Sequence, residues 1–179
     1  KVIFCCASTL ASTQILLNST SARFPNGMGN DSGELGHNLM DHHYRTGAMG
    51  VYEGLEDQYY KGRRPTGLFI PRFANLDEKT KNPNFLRGYD YQGNGGSRAN
   101  WGRGADTPGV GGDFKESLFK PGPWSMALMG FGECLPYHEN QASLDADKKD
   151  QWGLPLLVLN AKIRENELKM REAMKNDAA

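Results

Sequence analysis

The length, composition and charge of the chain set the first limits on what it does. Its 179 residues are enough for an ordinary domain with a buried core. Because 21 Lys and Arg are matched by 21 Asp and Glu, no electrostatic footprint indicates nucleic acid or an anionic membrane surface. Of the 3 cysteines, Cys5 and Cys6 are adjacent and Cys134 is distant, so no disulfide framework is predicted.

The hydropathy pattern predicts no membrane span. No stretch approaches the ~20 consecutive apolar residues that a spanning helix needs. We therefore expect a soluble protein, cytoplasmic or periplasmic, with no sharper localisation readable from the sequence. The chain starts at Lys1 inside an apolar run, and we interpret it as a piece of a longer protein.

A strand followed by a helix is predicted at the start of the chain. Residues 1–8, KVIFCCAS, form a continuous apolar run typical of a parallel strand that is covered on both faces. Residues 10–18 carry apolar side chains at spacings of three and four, which predicts a helix. In α/β folds such a junction presents backbone N–H groups to a phosphate or cofactor, and here it consists of Ala7, Ser8 and Thr9. A strand-to-helix turn without a ligand explains the same residues.

Residues 34–43, ELGHNLMDHH, hold three of the 4 histidines and raise the question of a metal site. A zinc site needs three or four converging ligands. If the segment is helical, His37 and Asp41 share a face, whereas His42 and His43 point away from it. Two ligands do not make a site, so we expect no metal. A Ser/His/Asp hydrolase is also disfavoured, since the chain has no GxSxG turn.

The rest of the chain reads as strands separated by Gly, Pro and Asn turns. This pattern predicts a mostly antiparallel sheet between residues 44 and 163, distinct from the sheet of residues 1–18. The glycine-rich residues 92–112 are predicted to be a mobile excursion and a candidate lid. Residues 164–177 are predicted to form a closing helix with Asn166 as its cap and a Glu165/Lys169 pair on its surface.

Two segments, taken in order, resemble one known family. A strand ending in small residues leads into a helix of the STxILLNS kind, and a loop then delivers a GxNLxDH box, matched here by Gly36, Asn38, Leu39, Asp41 and His42. The second half, GFGECLPYHENQASLDADKKDQWGLPLLVLNAKI, looks like paired substrate-domain strands. The chain thus resembles the glucose–methanol–choline family of flavin oxidoreductases, in the branch that contains pyranose oxidase. Many members of the family have Pro at the position of Thr13, and the absence of Pro here fits the pyranose-oxidase-like branch.

The resemblance implies a fold class and an activity. The fold would be α+β, with residues 1–43 as the edge of an FAD-binding domain and a crossover segment, and residues 44–179 as a substrate-binding domain. The protein would oxidise a CH–OH group of a sugar or another small-molecule alcohol by hydride transfer to FAD. The GxGxxG turn and the catalytic histidine pair of the family have no match here, so we expect no catalytic residue in this segment.

The resemblance also indicates which residues line the sites. The residues expected to contact the cofactor are Ala7, Ser8, Thr9, Asn38 and His42. The residues expected to line a sugar or alcohol pocket are Arg72, Phe73 and Trp124. The less specific interpretation is that Asn38 and Asp41 hold the crossover together, and that the Arg and the two aromatic residues belong to the surface and the core.

Two other functions remain open from the sequence. A non-catalytic β-rich module that binds carbohydrate or protein would also show strands rich in Gly and aromatic residues. A metal-dependent hydrolase built on the histidine cluster is the third hypothesis. Substrate identity, oxidase versus dehydrogenase chemistry, the electron acceptor and the oligomeric state are not encoded in any feature of the sequence that we recognise.

Overall fold

The computed structural model describes residues 2–54, 67–99, 109–119 and 121–179 and has an α+β fold, as the sequence predicts. Its helices are α1 (Thr9–Asn18), α2 (Gly111–Leu118) and α3 (Glu165–Ala178). Its strands are β1 (His42–Tyr52), β2 (Gly67–Ile70), β3 (Tyr89–Ala99), β4 (Pro121–Glu133), β5 (Gln141–Lys149) and β6 (Pro155–Asn160). All strand pairs of the described residues are antiparallel.

The chain divides into two compact units. Unit 1 comprises Lys1–Asp41 and Cys134–Arg164, and unit 2 comprises His42–Glu133 and Glu165–Ala179. Residues 134–164 therefore group with the beginning of the chain, whereas the sequence assigns them to the same domain as residues 44–133. The assignment of a cofactor domain and a substrate domain stays a prediction.

Unit 2 is a four-stranded sheet with the order β1-β4-β3-β2 and with α3 packed on one face. Its core combines two methionines of α3 with aromatic side chains of β3 and the loop before it: Phe85, Tyr89, Tyr91, Met170 and Met174. The hydroxyl of Tyr91 donates a hydrogen bond to the carbonyl of Met174 at 2.5 Å, and the hydroxyl of Tyr89 donates one to Asp177. Each buried tyrosine thus satisfies its polar end on α3.

Unit 1 is a β5–β6 hairpin against which α1 packs. Polar contacts hold it together. The N–H of Ala142 donates to the carbonyl of Gly36 at 2.8 Å, and the N–H of Leu39 donates to the carbonyl of Asn140 at 2.8 Å. The side-chain amide of Asn140 closes the end of the hairpin: its Nδ2 donates to the carbonyl of Lys162 at 3.1 Å, and its Oδ1 accepts from the N–H of Lys162 at 3.1 Å. These bonds fasten the GxNLxDH box to the start of β5.

The predicted first strand is wrong for the described residues. Residues 2–7 form no strand, and the side chains of Val2, Ile3 and Phe4 are 79%, 93% and 84% exposed. A parallel strand is stable only beside neighbouring strands. Among the described residues, no strand pairs with residues 2–7. The helix predicted over residues 10–18 is confirmed as α1, one residue longer at its start.

The predicted continuous sheet is two sheets, because β5 and β6 pair only with each other among the described strands. The predicted excursion over residues 92–112 is wrong for residues 92–99, which belong to β3, and for residues 111 and 112, which begin α2. Residues 100–108 lie outside the described residues.

The closing helix is confirmed, but its predicted cap is not. Asn166 is the second residue of α3, and its side-chain oxygen accepts from the N–H of Leu86 at 2.7 Å instead of capping its own helix. The predicted pair of Glu165 and Lys169 forms at 2.7 Å. Asn166 therefore ties the loop before β3 to the helix that covers the sheet.

Candidate functional site

The sheet of unit 2 has one covered face and one face that we call the open face. Tyr89 and Tyr91 point towards α3, so Asp90 and Gln92 between and after them point to the opposite side. Strand register places Gln92 beside Met129 of β4 and Phe69 of β2. The open face carries exposed apolar side chains from three strands: Met49, Val51, Phe69 and Met129. An apolar surface of this kind is typical of a binding face.

A cavity of about 240 Å³ lies at one end of the open face. The side chains that line it come from the start of β1, the end of β4, the start of β3 and the loop after β2: His42, Arg72, Asp90, Gln92, Phe131 and Glu133. The structure thus brings together His42, predicted for the cofactor, and Arg72, predicted for the substrate. Asp90, Gln92 and Glu133 were not predicted, although the alternation in YDYQ places two polar residues on one strand face.

Arg72 is held in place by three hydrogen bonds. Its Nε donates to the carbonyl of Ala74 at 3.0 Å, and one terminal nitrogen donates to the carbonyl of Asn75 at 2.6 Å. The other terminal nitrogen donates to Oε2 of Glu133 at 3.1 Å, and the same oxygen accepts from the N–H of Gly88 at 3.1 Å. A Cβ on Gly88 would lie 2.5 Å from Nε of Arg72, so the glycine makes room for the arginine. These hydrogen bonds hold the side chain of Arg72 in one conformation at the edge of the cavity.

Asp90 differs from the other polar groups of the cavity. Its Oδ1 is shielded from water and has no hydrogen-bond partner among the described residues. It stands directly across from Phe131 in the β3–β4 register. The ring of Phe131 meets the ring of His42 edge-on, with centroids 6.2 Å apart. Asp90 and Phe131 therefore lie next to each other on the open face, and both line the cavity.

Phe73 and Trp124 are not among the residues that line the cavity. The ring of Phe73 contacts Tyr89 and Tyr91, with centroids 5.5 Å and 6.3 Å apart, but Phe73 is 39% exposed, so it lies at the surface of the aromatic core of unit 2. Trp124 is a half-buried residue of β4 that pairs with Tyr52 and Ser97. The structure brings one of the three residues predicted for the substrate, Arg72, into the cavity.

The predicted cofactor turn lies at the N-terminus of α1. Ser8 has a left-handed backbone, with φ 66, and makes no side-chain cap hydrogen bond. Ala7 is half-buried, Ser8 and Thr9 are exposed, and the first turn of α1 has no acidic residue. Small side chains and an uncapped helix start leave backbone N–H groups accessible to an anion. These features fit a group such as the pyrophosphate of FAD.

The GxNLxDH box is a loop that ends at β1, and it contains no helix. Gly36 has φ 92 and approaches β5 so closely that a Cβ would overlap the carbonyl oxygen of Ala142. Asn38 also has a left-handed backbone, with φ 58, and its Nδ2 donates to Oε2 of Glu34 at 3.2 Å. The box thus needs glycine for a close approach, and Asn38 contributes to the shape of the loop itself.

Two of the four histidines stack on each other in unit 1. The rings of His37 and His138 have centroids 4.0 Å apart, and Nδ1 of His37 bonds to the carbonyl of His138 at 2.8 Å. Nε2 of His138 lies 3.3 Å from Oε1 of Glu34. Within the described ranges, no three His, Cys, Asp or Glu side chains are placed to hold a metal ion. The pair fastens the box to the turn before β5.

The remaining histidine, His43, is buried in unit 2 between the sheet and α3. It is 1% exposed, its Nε2 lies 3.1 Å from the sulfur of Met170, and a Cβ on Gly132 would overlap its ring. Burial lowers the pKa of His43, the charge of Arg171 lowers it further, and Glu167 opposes them. Neutral His43 is therefore a packing residue of the covered face. Sequence reasoning did not single it out, because burial depends on where α3 docks.

Burial also raises the pKa of Tyr91 to about 12, with the charge of Asp177 acting in the same direction. Both buried tyrosines have raised pKa values, so they stay neutral and donate hydrogen bonds to α3.

Among the described residues, no helix has the length and the apolar character to cross a membrane.

Comparison with known proteins finds one informative similarity. No protein-family model matches the chain. The chain is 31% identical over 173 residues to a 2-methyl-1,2-propanediol dehydrogenase of Mycolicibacterium austroafricanum. The match covers 94% of this chain and 30% of that relative, so the chain spans about a third of the length of the curated protein that it matches. The similarity is to a dehydrogenase of a small alcohol.

Proposed function

We propose that the chain is part of an FAD-dependent oxidoreductase of the glucose–methanol–choline type that oxidises a CH–OH group of a small alcohol or sugar. The observation that carries the proposal is the 31% identity over 94% of the chain to an alcohol dehydrogenase. We infer the FAD cofactor and the glucose–methanol–choline family from the resemblance of the GxNLxDH box. When bound, FAD accepts the hydride from the alcohol carbon.

The start of unit 1 supports the role assigned to the cofactor. Ala7, Ser8 and Thr9 surround the uncapped N-terminus of α1, where the helix dipole and free N–H groups favour an anion. In the proposed enzyme this turn contacts the pyrophosphate, and its small side chains allow close approach. Asn38 shapes the box that follows, through its bond to Glu34.

The open face of unit 2 supports the role assigned to the substrate. A small cavity with one aromatic wall and a few polar groups is the usual form of a small-molecule site. Arg72, fixed by Ala74, Asn75 and Glu133, shapes that cavity, while Phe131 offers a flat apolar surface. In this proposal the described residues bind and orient the alcohol. The base that takes its hydroxyl proton belongs to the catalytic histidine pair of the family, which has no match in this chain.

The experiment that tests the proposal uses the protein expressed with the coding sequence on both sides of this segment. We expect a yellow protein with a flavin absorption band that bleaches when an alcohol is added without oxygen. The substrate panel contains sugars and small diols, including the compound oxidised by the relative, with oxygen or an artificial electron acceptor. A colourless protein that oxidises none of them would overturn the proposal and favour a non-catalytic binding module.

A matched pair of variants tests the cofactor turn. Ser8→Asp places a negative charge at the start of α1, whereas Ser8→Asn adds a neutral side chain of the same shape; both residue types favour helix N-termini, and any backbone strain at this position is the same for the two. We expect Ser8→Asp to weaken FAD binding by about tenfold or more, which corresponds to about 1.4 kcal/mol, and Ser8→Asn to change it little. Equal FAD dissociation constants for the two variants would contradict this role.

A further inference from the structure

We infer that Asn75 is a positioning residue for substrate binding, because it closes the loop whose backbone holds Arg72 at the edge of the cavity. Arg72 would contact an oxygen atom of the alcohol, and Asn75, which does not line the cavity, would act through Arg72. The inference rests on the proposed function, since it takes the cavity as the place where the alcohol binds.

The side chain of Asn75 is bonded at both of its polar atoms inside the segment that joins β2 to β3. Its Nδ2 donates to the carbonyls of Phe85 at 3.0 Å and Arg87 at 2.7 Å. Its Oδ1 accepts from the N–H of Asn82 at 2.6 Å. Residues 75–87 contain no helix and no strand that would fix their backbone, so this one side chain closes the loop.

The backbone conformation and the bonding partners together select asparagine at this position. The backbone of Asn75 is left-handed, with φ 55, a conformation that Gly, Asn and Asp adopt more readily than other residue types. Gly has no side chain, and an Asp carboxylate has no donor for the two carbonyls that Nδ2 reaches. Asn is therefore the residue type that satisfies both the backbone and the closure of the loop.

The same turn of the chain holds Arg72. The carbonyls of Ala74 and Asn75 accept hydrogen bonds from its guanidinium at 3.0 Å and 2.6 Å. The third bond, at 3.1 Å, goes to Glu133 as part of a partly exposed ion pair. An ion pair of this kind contributes little alone. If the loop opens, Arg72 loses two fixed acceptors and keeps only the weak pair, so its orientation depends on Asn75.

Arg72 is accessible to a ligand, because it lines the cavity and 35% of its side chain is exposed. A guanidinium has more N–H donors than the three that Arg72 uses on the protein, so N–H groups remain for an oxygen atom of a ligand. Glu133 already compensates the positive charge of Arg72. A neutral acceptor, such as the hydroxyl oxygen of an alcohol, therefore fits this donor.

The test measures kcat and KM of the flavin-containing enzyme for the alcohol of the panel that the wild type oxidises best. Asn75→Gly keeps the left-handed backbone but removes the three side-chain hydrogen bonds. We expect KM to rise by about 10-fold or more and kcat to change by less than about threefold, because Arg72 binds the substrate equally in the ground state and the transition state.

Asn84→Gly is the matched control. It is the same substitution in the same loop, at a side chain that is exposed and does not line the cavity. Both of its kinetic constants should equal those of the wild type. Flavin content and thermal unfolding, measured for every variant, report whether the fold is intact. If Asn75→Gly does not fold, Asn75→Asp takes its place with the same expected result, because it keeps the acceptor and removes only the donor.

A double-mutant cycle separates positioning from general damage to the loop. Arg72→Met keeps the apolar part of the side chain and removes the guanidinium. Alone, it should raise KM by about 10-fold or more, and Asn75→Gly added to it should raise KM little further, because residues that act through one contact are not additive.

The outcomes separate the two levels of the argument. A wild-type enzyme that oxidises no alcohol of the panel would overturn the proposed function and this inference with it. An active wild type with an unchanged KM in Arg72→Met would overturn the inference alone, because Arg72 would then not contact the substrate. Fully additive effects of Asn75→Gly and Arg72→Met on KM, or an equal rise of KM in Asn84→Gly, would also overturn the inference alone.

Discussion

Unit 1 and unit 2 are stabilised in different ways. In unit 2, a cluster of buried aromatic and methionine side chains joins the sheet to α3. In unit 1, α1 has no buried residue, and Ala142 is the one buried hydrophobic residue among those that the structure describes. Ile3 and Leu159 of unit 1 are 93% and 49% exposed. Hydrophobic burial therefore stabilises unit 2, whereas unit 1 depends on backbone hydrogen bonds and close approaches of the chain.

The buried core of unit 2 supports the side chains that line the cavity on its open face. A sheet that is covered by α3 on one face and packed by an aromatic core is rigid enough to present side chains on its other face at fixed positions. Arg72 gains its three hydrogen bonds from the same framework.

Shortening a buried side chain should cost much more in unit 2 than in unit 1. Met170 is 0% exposed, so we expect Met170→Ala to lower the free energy of unfolding by roughly 3 kcal/mol. Leu159→Ala, at a half-exposed position, should cost about 1 kcal/mol or less. Urea denaturation followed by circular dichroism measures both. Met170→Leu is the control for volume, at under about 1.5 kcal/mol, and equal costs for Met170→Ala and Leu159→Ala would break the comparison.

Adding one methyl group at a close approach should damage unit 1. Gly36→Ala forces a Cβ onto the carbonyl of Ala142 and strains a residue with φ 92, so we expect a loss of roughly 2–3 kcal/mol. Gly33→Ala is the matched control, since Gly33 has φ 80 but no atom within 4 Å of the added Cβ; its loss should be about 1 kcal/mol.

Hydrogen exchange of the Ala142 amide locates the damage, because this N–H donates to Gly36. Faster exchange in Gly36→Ala than in Gly33→Ala is the expected result. If the two variants behaved alike, backbone strain rather than close approach would account for the glycine in the box.

Acid should weaken the covered face of unit 2 through His43. Its pKa in the folded protein is lowered from 6.5, so the unfolded chain binds a proton at a higher pH than the folded chain does. The free energy of unfolding should therefore fall as the pH drops through about 6.5 towards the lower folded pKa. Comparing urea denaturation at about pH 7.5 and about pH 5.5 measures the slope.

His43→Gln removes the titrating group at the same position. It should show a smaller loss of stability between the two pH values than the wild type, whatever its absolute stability. A wild type that became more stable in acid, or an unchanged slope in the variant, would show that His43 does not dominate this dependence.

The smallest expected effect concerns His42 on the open face. We expect His42→Asn to weaken FAD retention or stability while keeping turnover per bound flavin within about tenfold, a barrier change under roughly 1.4 kcal/mol. The physical reason is that the ring of His42 packs edge-on against Phe131 at the start of β1 and shapes the cavity. A loss of about a thousandfold with flavin content intact would instead assign the proton transfer to His42.

The sequence predicts local elements well and long-range contacts poorly. The ends of α1 and α3 lie within one residue of the predicted bounds, since helical periodicity is a property of neighbouring residues. Residues 92–99 were interpreted as a loop because of their glycines, yet they form part of β3. A Cβ on Gly93 would overlap the carbonyl of Ala127 in β4, so this glycine permits strand pairing rather than a turn.

The candidate site shows the same limit. The motif predicts His42 and the strand-like segment FIPRFAN predicts Arg72, and the structure places both at one cavity. Asp90 and Gln92 were missed, because their position on the open face depends on which side of β3 meets α3. Phe73, predicted for the substrate, contacts Tyr91 at the surface of the core instead of lining the cavity.

The sequence by itself predicts a mixture of helices and antiparallel strands and the two terminal helices, because short-range periodicity encodes them. Only the tertiary structure decides that β5 and β6 leave the main sheet, that residues 2–6 stay exposed, and that Oδ1 of Asp90 is buried without a donor among the described residues. The physical reason is register: a shift of one residue between β3 and β4 would exchange the open and covered faces, and no local signal specifies which pairing buries Tyr91.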